Sequence, residues 1–135
     1  MNESIFTKII KGEIPAEKIY EDTQTLAFLD IHPLTPGHTL VIPKIQMDNF
    51  DDLSDEAYEA LWKTVQKVAK QIKTVTGAAR ACVRIEGFDV PHAHVHVYPC
   101  NVAEDFYGDT DRLNKEPDHQ ALAEMAKKLA FPGVQ

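Results

Sequence analysis

Apolar side chains recur every three or four positions from Ser54 to Thr76, the longest regular pattern in the chain. This spacing places them on one face of an α-helix and leaves polar residues on the other. Ser54 is a suitable N-cap, and Gly77 is a suitable C-terminal stop. The pattern therefore predicts a long helix whose apolar face covers a sheet. Its apolar positions are Ala57, Leu61, Val65, Val68, Ile72 and Val75.

Shorter patterns on both sides of this helix predict the rest of the fold. Two further helices are expected at 5–11, closed by Gly12, and at about 118–130. Segments with alternating polarity or a continuous apolar run indicate strands. The order of helix, three strands, long helix, two strands and helix predicts an α+β fold with a largely antiparallel five-stranded sheet. The predicted strands are 17–21, 25–31, 38–43, 80–86 and 93–99.

The length of 135 residues indicates a single domain at 1–135. The net charge of −7 argues against binding to a nucleic-acid polymer, which needs a basic patch. No apolar run approaches the roughly 18 residues of a membrane span, and the N-terminus has no signal-peptide layout. We therefore expect a cytoplasmic protein with no membrane partner. Cys82 and Cys100 form neither a disulfide framework nor a zinc ribbon, so we expect both to be reduced.

Three of the six histidines alternate in the segment VPHAHVHVYP at 90–99. On a strand, His92, His94 and His96 would share one face, which we expect to point outward or into a dimer groove. One interpretation is a solvated strand face, and a second is a zinc or copper site. In a third, one imidazole is a nucleophile for phosphoryl or nucleotidyl transfer, since neutral imidazole is nucleophilic near pH 7.

The segment His92-Ala-His94-Val-His96-Val, preceded by Val90-Pro91, resembles the signature of the histidine triad (HIT) family of nucleotide hydrolases and transferases. The resemblance implies a HIT-like fold and a homodimer whose sheet continues across both chains. It covers a core at 4–100, and the remaining 101–135 holds an acidic segment and the predicted C-terminal helix. Further segments similar to the Hint-type branch are 5–15, 27–31 and 36–44.

The resemblance also implies a role for each matching residue. His94 matches the nucleophile that attacks the α-phosphorus, and His96 matches the histidine whose imidazolium protonates the leaving group. His92 and His38 match the histidines that support the nucleophile. Asp30 matches the acid that accepts hydrogen bonds from both ribose hydroxyls.

Six apolar residues match the walls of a nucleobase pocket. The resemblance implies that these walls hold a purine base without sharp selectivity. For Ile9 and Ile31, an ordinary place in the core is an equally good interpretation. The six residues are Ile5, Phe6, Ile9, Phe28, Leu29 and Ile31.

Two departures from the family pattern concern metal and phosphate. Ser4, Thr7 and Gln46 occupy positions where many bacterial relatives carry zinc ligands, so we expect no structural zinc. The loop before the histidines is shortened, and Gly87 and Asp89 stand where the family binds phosphate. An ionised Asp89 cannot donate a hydrogen bond, so either backbone N–H groups bind the phosphate or Asp89 points elsewhere.

Six acids lie between residues 101 and 118, against two cations, Arg112 and Lys115. Such a run is ordinarily a solvated segment. A sharper hypothesis is that the acids line the leaving-group side of the site and favour cationic leaving groups. The acids are Glu104, Asp105, Asp109, Asp111, Glu116 and Asp118.

The leading prediction is a purine nucleoside phosphoramidase that acts through a covalent nucleotidyl-histidine intermediate and releases a nucleoside monophosphate. A dinucleoside polyphosphate hydrolase is an alternative within the same enzyme class. A nucleotide-binding regulatory protein with weak catalysis is a third hypothesis, favoured by the missing phosphate donors. A metal-dependent enzyme, built on the alternating histidines, is a fourth.

Overall fold

The computed structural model describes residues 2–134; Met1 and Gln135, the ends of the predicted domain, lie outside them. Five strands form one sheet in the order β1-β2-β3-β5-β4, and every neighbouring pair is antiparallel. This architecture, with three helices, confirms the predicted α+β fold. The strands are β1 (Lys18–Glu21), β2 (Thr25–Leu29), β3 (Thr39–Pro43), β4 (Arg80–Arg84) and β5 (Val95–Cys100).

The long helix begins and ends where its capping residues predict. Ser54 Oγ accepts a hydrogen bond from the N–H of Ala57, and Gly77 adopts a left-handed φ of 73° at the C-cap. No helix among residues 2–134 combines the length and the apolar composition needed to cross a membrane. The helices are α1 (Ile5–Ile10), α2 (Asp55–Thr76) and α3 (His119–Leu129), with short 3-10 turns at Phe50–Asp52, Ala103–Phe106 and Arg112–Asn114.

The two faces of the sheet carry separate apolar clusters because successive side chains of a strand point to opposite sides. In β2, Ala27 packs under α2 and α3, whereas Phe28 packs under α1. The main core lies on the side of α2 and α3. From the predicted stripe it takes the four buried residues Leu61, Val65, Val68 and Ile72, while Ala57 and Val75 are half-buried.

The strand that carries the histidines is shorter than predicted. It begins at Val95, so only His96 of the alternating three lies on a strand. The N–H of Ala93 instead donates to the carbonyl of Met47 at 2.7 Å, which draws the preceding residues out of the sheet. Burial corrects a second expectation, because the histidines do not point outward. His92, His94 and His96 are 0%, 5% and 6% exposed.

Candidate active site

A cleft of about 310 Å³ lies on the α1 face of the sheet. Its walls come from α1, the end of β2, the loop between β4 and β5, and the segment that follows β5. Of the predicted site residues, His38, His92 and Gly87 are not among those that line it. Those that do are Ile5, Phe6, Ile9, Phe28, Leu29, Asp30, Ile31, Asp89, His94 and His96.

The apolar walls clarify the two ambiguous residues. Ile31 is 46% exposed and lines the cleft, so the core interpretation is wrong for it. Ile9 is buried in the cluster under α1 and also reaches the cleft, so both interpretations describe it. The rings of Phe6 and Phe28 meet edge to face at 5.5 Å between centroids. A flat apolar ligand would find a preformed wall here.

The proton position on His94 follows from its backbone partner. Nδ1 lies 2.7 Å from the carbonyl oxygen of His92. A carbonyl only accepts, so Nδ1 carries the hydrogen and Nε2 of the neutral ring holds a lone pair. The ring of Phe6 packs against His94 at 4.9 Å between centroids, nearly perpendicular to it. His94 is therefore held on two sides in the tautomer whose lone pair lies on Nε2.

A chain of hydrogen bonds also sets the proton on His96. The N–H of Leu34 donates to His38 Nδ1 at 2.9 Å, so His38 carries its hydrogen on Nε2. His38 Nε2 then donates to His96 Nδ1 at 2.8 Å. His96 is left with its hydrogen on Nε2, and its ring centroid lies 5.1 Å from that of His94. The cleft thus pairs a nitrogen lone pair with an N–H donor.

Burial keeps the imidazoles of His38 and His96 neutral at pH 7. It lowers the pKa of His38 to about 2, assisted by the neighbouring His96 and Arg112. It lowers the pKa of His96 to about 3, assisted by His94 and Arg112. Burial also lowers the pKa of His92. The imidazolium that the family resemblance implies at His96 is therefore not its form in the ligand-free protein at neutral pH.

The three residues at the predicted zinc-ligand positions gather around His92. His92 Nε2 donates to the carbonyl of Pro43 at 2.8 Å, so Nδ1 accepts from Ser4 Oγ at 2.7 Å. Thr7 Oγ1 and the N–H of Ser4 both donate to Gln46 Oε1, at 2.6 and 2.8 Å. Hydroxyl and amide groups are poor zinc ligands, and both nitrogens of His92 are engaged. This donor set does not fit a zinc ion.

Another group has the spacing that a metal ion needs. Glu86, His94 and His96 each place a potential ligand atom within 4.8 Å of the other two. Asp30, His38 and His96 are equally close, but there the two imidazoles bond each other. Glu86 was not among the predicted site residues, because acidic loop residues carry no periodic signal.

Asp30 lies just beyond β2 and is engaged on both oxygens. Oδ1 accepts the N–H of His32 at 2.8 Å, and Oδ2 lies 3.4 Å from Arg112 Nη1 and 3.6 Å from His38 Nε2. Burial raises the pKa of Asp30, while the His32 N–H and the Arg112 charge oppose that rise. After Glu86, Arg112 is a second charged cleft residue absent from the predicted set. Its one sequence signal was its place as a cation in an acidic run.

The hypothesis that the acidic segment lines the leaving-group side is wrong. Among residues 2–134, the segment contributes only Arg112 and Leu113 to the cleft, and none of its six acids. Several acids have local tasks instead. Asp105 accepts two backbone N–H groups, Asp109 pairs with Lys115, and Asp118 caps α3.

In the shortened loop, Asp89 lies on the cleft wall, whereas Gly87 does not. Gly87 has a left-handed φ of 77° and bends the loop. The neighbouring Phe88 is 91% exposed. The part that Gly87 and Asp89 play in binding phosphate stays a prediction.

Comparisons with known proteins agree with this geometry. Residues 11–101 match the HIT domain family. A Schizosaccharomyces pombe protein named adenosine 5′-monophosphoramidase is 42% identical over 96 residues, or 70% of this chain and 72% of that protein. The Escherichia coli K12 protein named purine nucleoside phosphoramidase is 37% identical over 102 residues, or 70% and 85%. The crystal structure of a Hit-like protein from Bartonella henselae superposes with a TM-score of 0.81 at 36% identity, covering 96% of this chain and 95% of that one.

Proposed function

The chain belongs to the HIT family, and we propose that it is a purine nucleoside phosphoramidase that releases a nucleoside monophosphate from an amine. Relatives named as phosphoramidases and an adenylylsulfatase support a hydrolase that acts on nucleotides. The observation that carries the proposal is His94, whose Nδ1–H is bound by the His92 carbonyl so that the lone pair of the neutral ring lies on Nε2. A purine would lie between the apolar walls, with its ribose at Asp30.

In the first step, His94 Nε2 forms a bond to the α-phosphorus while the bond from phosphorus to the substrate amine breaks. The amine leaves with a proton, for which His96 Nε2–H is the nearby donor. Neutral imidazole does not release its proton, so His96 must first take up a proton from solvent and become an imidazolium. The negative phosphate beside it favours that form. Water then attacks phosphorus and gives a proton to His96 Nε2, the bond from phosphorus to His94 Nε2 breaks, and the nucleoside monophosphate is released.

Trapping the intermediate tests this proposal. The protein is mixed with an adenosine phosphoramidate, quenched within seconds in denaturant and examined by intact-mass spectrometry. We expect an adenylyl adduct that maps to His94, and loss of both adduct and turnover in His94→Ala, which still binds AMP. His119→Ala removes an exposed histidine on α3 and is the matched control. Turnover that persists in His94→Ala would exclude His94 as the nucleophile.

The position of the six acids outside the cleft favours a second candidate, hydrolysis of dinucleoside polyphosphates. The acids that argued against an anionic leaving group lie outside the cleft, and a cation lines it instead. Comparing kcat/KM for a phosphoramidate and for diadenosine polyphosphates ranks the two activities. We expect the phosphoramidate to be the better substrate.

We also propose a homodimer that pairs β4 with β4 of a second copy. The outer edge of β1 is already engaged, since the N–H of Phe131 donates to the carbonyl of Ile19 at 2.8 Å. The edge at β4 is more open, and its Val83 is 37% exposed. Light scattering should give twice the chain mass, and Val83→Pro should reduce it because proline removes a ladder hydrogen bond.

We propose that hydrogen bonds, and no zinc ion, hold His92 in place. The Ser4 hydroxyl and the Pro43 carbonyl occupy its two ring nitrogens. Metal analysis of the purified protein should therefore find no stoichiometric zinc.

A further inference from the structure

One cation of the acidic segment reaches the nucleotide cleft. Arg112 Nη1 donates to the carbonyl of His32 and lies 3.4 Å from Asp30 Oδ2. Its side chain is 19% exposed, whereas that of Lys115, the other cation of the segment, is 60% exposed. Arg112 is thus sequestered beside the carboxylate to which the proposed function assigns the ribose.

Backbone contacts determine this position. Gly108 has a left-handed φ of 61°, and a Cβ there would lie 2.6 Å from the carbonyl oxygen of Leu34. The same carbonyl accepts the N–H of Asp109 at 2.9 Å. The Arg112 N–H in turn donates to the carbonyl of Asp109 at 3.2 Å. The acidic segment therefore packs on the loop that follows Asp30, and this contact places the guanidinium of Arg112 beside the Asp30 carboxylate.

Asp30 needs a partner of this kind. A buried carboxylate accepts two hydroxyl groups well only when it is ionised and its oxygens are held in one orientation. The imidazole of His38 near Asp30 is neutral at pH 7. Arginine remains charged at any physiological pH, so Arg112 is the permanent positive charge in contact with this carboxylate.

We propose that Arg112 is a positioning residue, which holds Asp30 charged and oriented to accept the 2′- and 3′-hydroxyls of a ribonucleoside monophosphate. This inference rests on the proposed function, which gives Asp30 its ribose contact. It predicts that Arg112 discriminates ligands by their ribose hydroxyls and not by their phosphate. It also gives the segment outside the recognised family core a part in substrate selection.

Calorimetric titration with AMP and with 2′,3′-dideoxy-AMP tests the proposal. Arg112→Gln should weaken AMP about 10-fold, the size expected for hydrogen bonds to a charged acceptor. It should leave dideoxy-AMP within about twofold of the original protein. Arg112→Lys should recover part of the loss, because it keeps the charge without the planar fork. Lys128→Gln, which removes an exposed cation on α3, is the control and should bind both ligands normally.

A second variant tests the position of Arg112 without changing its guanidinium group. Gly108→Ala should push the segment away from Leu34 and reproduce the selective loss of AMP affinity. Thermal unfolding of each variant establishes that it is folded before titration. Unchanged AMP affinity in Arg112→Gln, or an equal loss for both ligands, overturns the inference.

Asp30→Asn separates this inference from the proposed function. If that variant keeps the preference for AMP over dideoxy-AMP, the proposed ribose role of Asp30 fails and the inference fails with it. If Asp30→Asn loses the preference while Arg112→Gln keeps it, only the inference about Arg112 fails. Loss in both variants supports the two together.

Discussion

The two ends of the histidine row are held in different ways. His92 is fixed by neutral groups, a serine hydroxyl and a proline carbonyl. His96 is fixed by another imidazole, His38, with the charges of Asp30 and Arg112 close behind. Neutral hydrogen bonds fix a position and change little with pH. Two hydrogen-bonded imidazoles beside charged groups also determine which ring nitrogen carries a proton. We therefore expect the contacts of His92 to affect the positions of the catalytic groups, and the contacts of His96 to affect their protonation.

Removing the hydrogen bond from His38 to His96 should have the largest effect on kcat. His38→Ala removes the N–H that sets the His96 tautomer, and kcat should fall about 100-fold, as for loss of a positioned proton donor. His38→Gln offers an amide N–H in the same region and should lose less. Steady-state kinetics with thermal unfolding separates this effect from loss of fold. Equal activity in all three proteins would contradict the assigned chain of protons.

The free energy of unfolding should also depend on pH through His38 and His96. An unfolded histidine takes up a proton below its ordinary pKa of about 6.5, whereas buried His38 and His96 stay neutral down to about 2 and 3. Their contribution is therefore complete above pH 6.5 and is lost as pH falls below it. Below pH 6.5, each such histidine lowers the free energy of unfolding by about 1.4 kcal/mol for every unit by which the pH falls.

Denaturant titrations between pH 7 and 4 measure this slope. We expect the slope of His38→Gln to be shallower than that of the original protein, because one buried neutral histidine is gone. Parallel curves would contradict the buried neutral state of His38.

Removing the hydrogen bond from Ser4 to His92 should have a smaller effect. Ser4→Ala removes the donor to His92 Nδ1 and the N-cap of α1 together, which should cost about 1–2 kcal/mol of unfolding free energy. The matched control is Ser54→Ala, which removes the N-cap of α2, where the hydroxyl accepts the N–H of Ala57. Kinetics should show a fall in kcat for Ser4→Ala and none for Ser54→Ala. A kcat equally unaffected in both would leave Ser4 as a cap alone.

Metal chelation should have the smallest effect. Because the Ser4, Thr7 and Gln46 donors do not fit zinc, a chelator should change neither activity nor stability. The triple variant Ser4→Cys, Thr7→Cys and Gln46→His should bind about one equivalent of zinc, since thiolate and imidazole suit that ion. Chelator-sensitive activity in the original protein would instead favour a metal at Glu86, His94 and His96.

Local patterns predicted most of the fold. The stripe of α2 and its caps predicted that helix within one residue at its start, because periodicity and capping act over a few neighbours. By contrast, β5 begins two residues later than predicted. The contact that delays its start, from the N–H of Ala93 to the carbonyl of Met47, joins residues distant in the chain. Arg112 was missed for the same reason. Its place depends on the close approach of Gly108 to Leu34, which no periodicity signals.

The sequence by itself determined the order of helices and strands, the family, and many of the residues that line the cleft, because these depend on local pattern and side-chain identity. Only the tertiary structure decided where the protons and charges lie. The bonds responsible join His38 to His96 over 58 positions, His92 to Pro43 over 49 and Arg112 to Asp30 over 82. Burial then keeps the imidazoles neutral, and burial is a property of the folded chain.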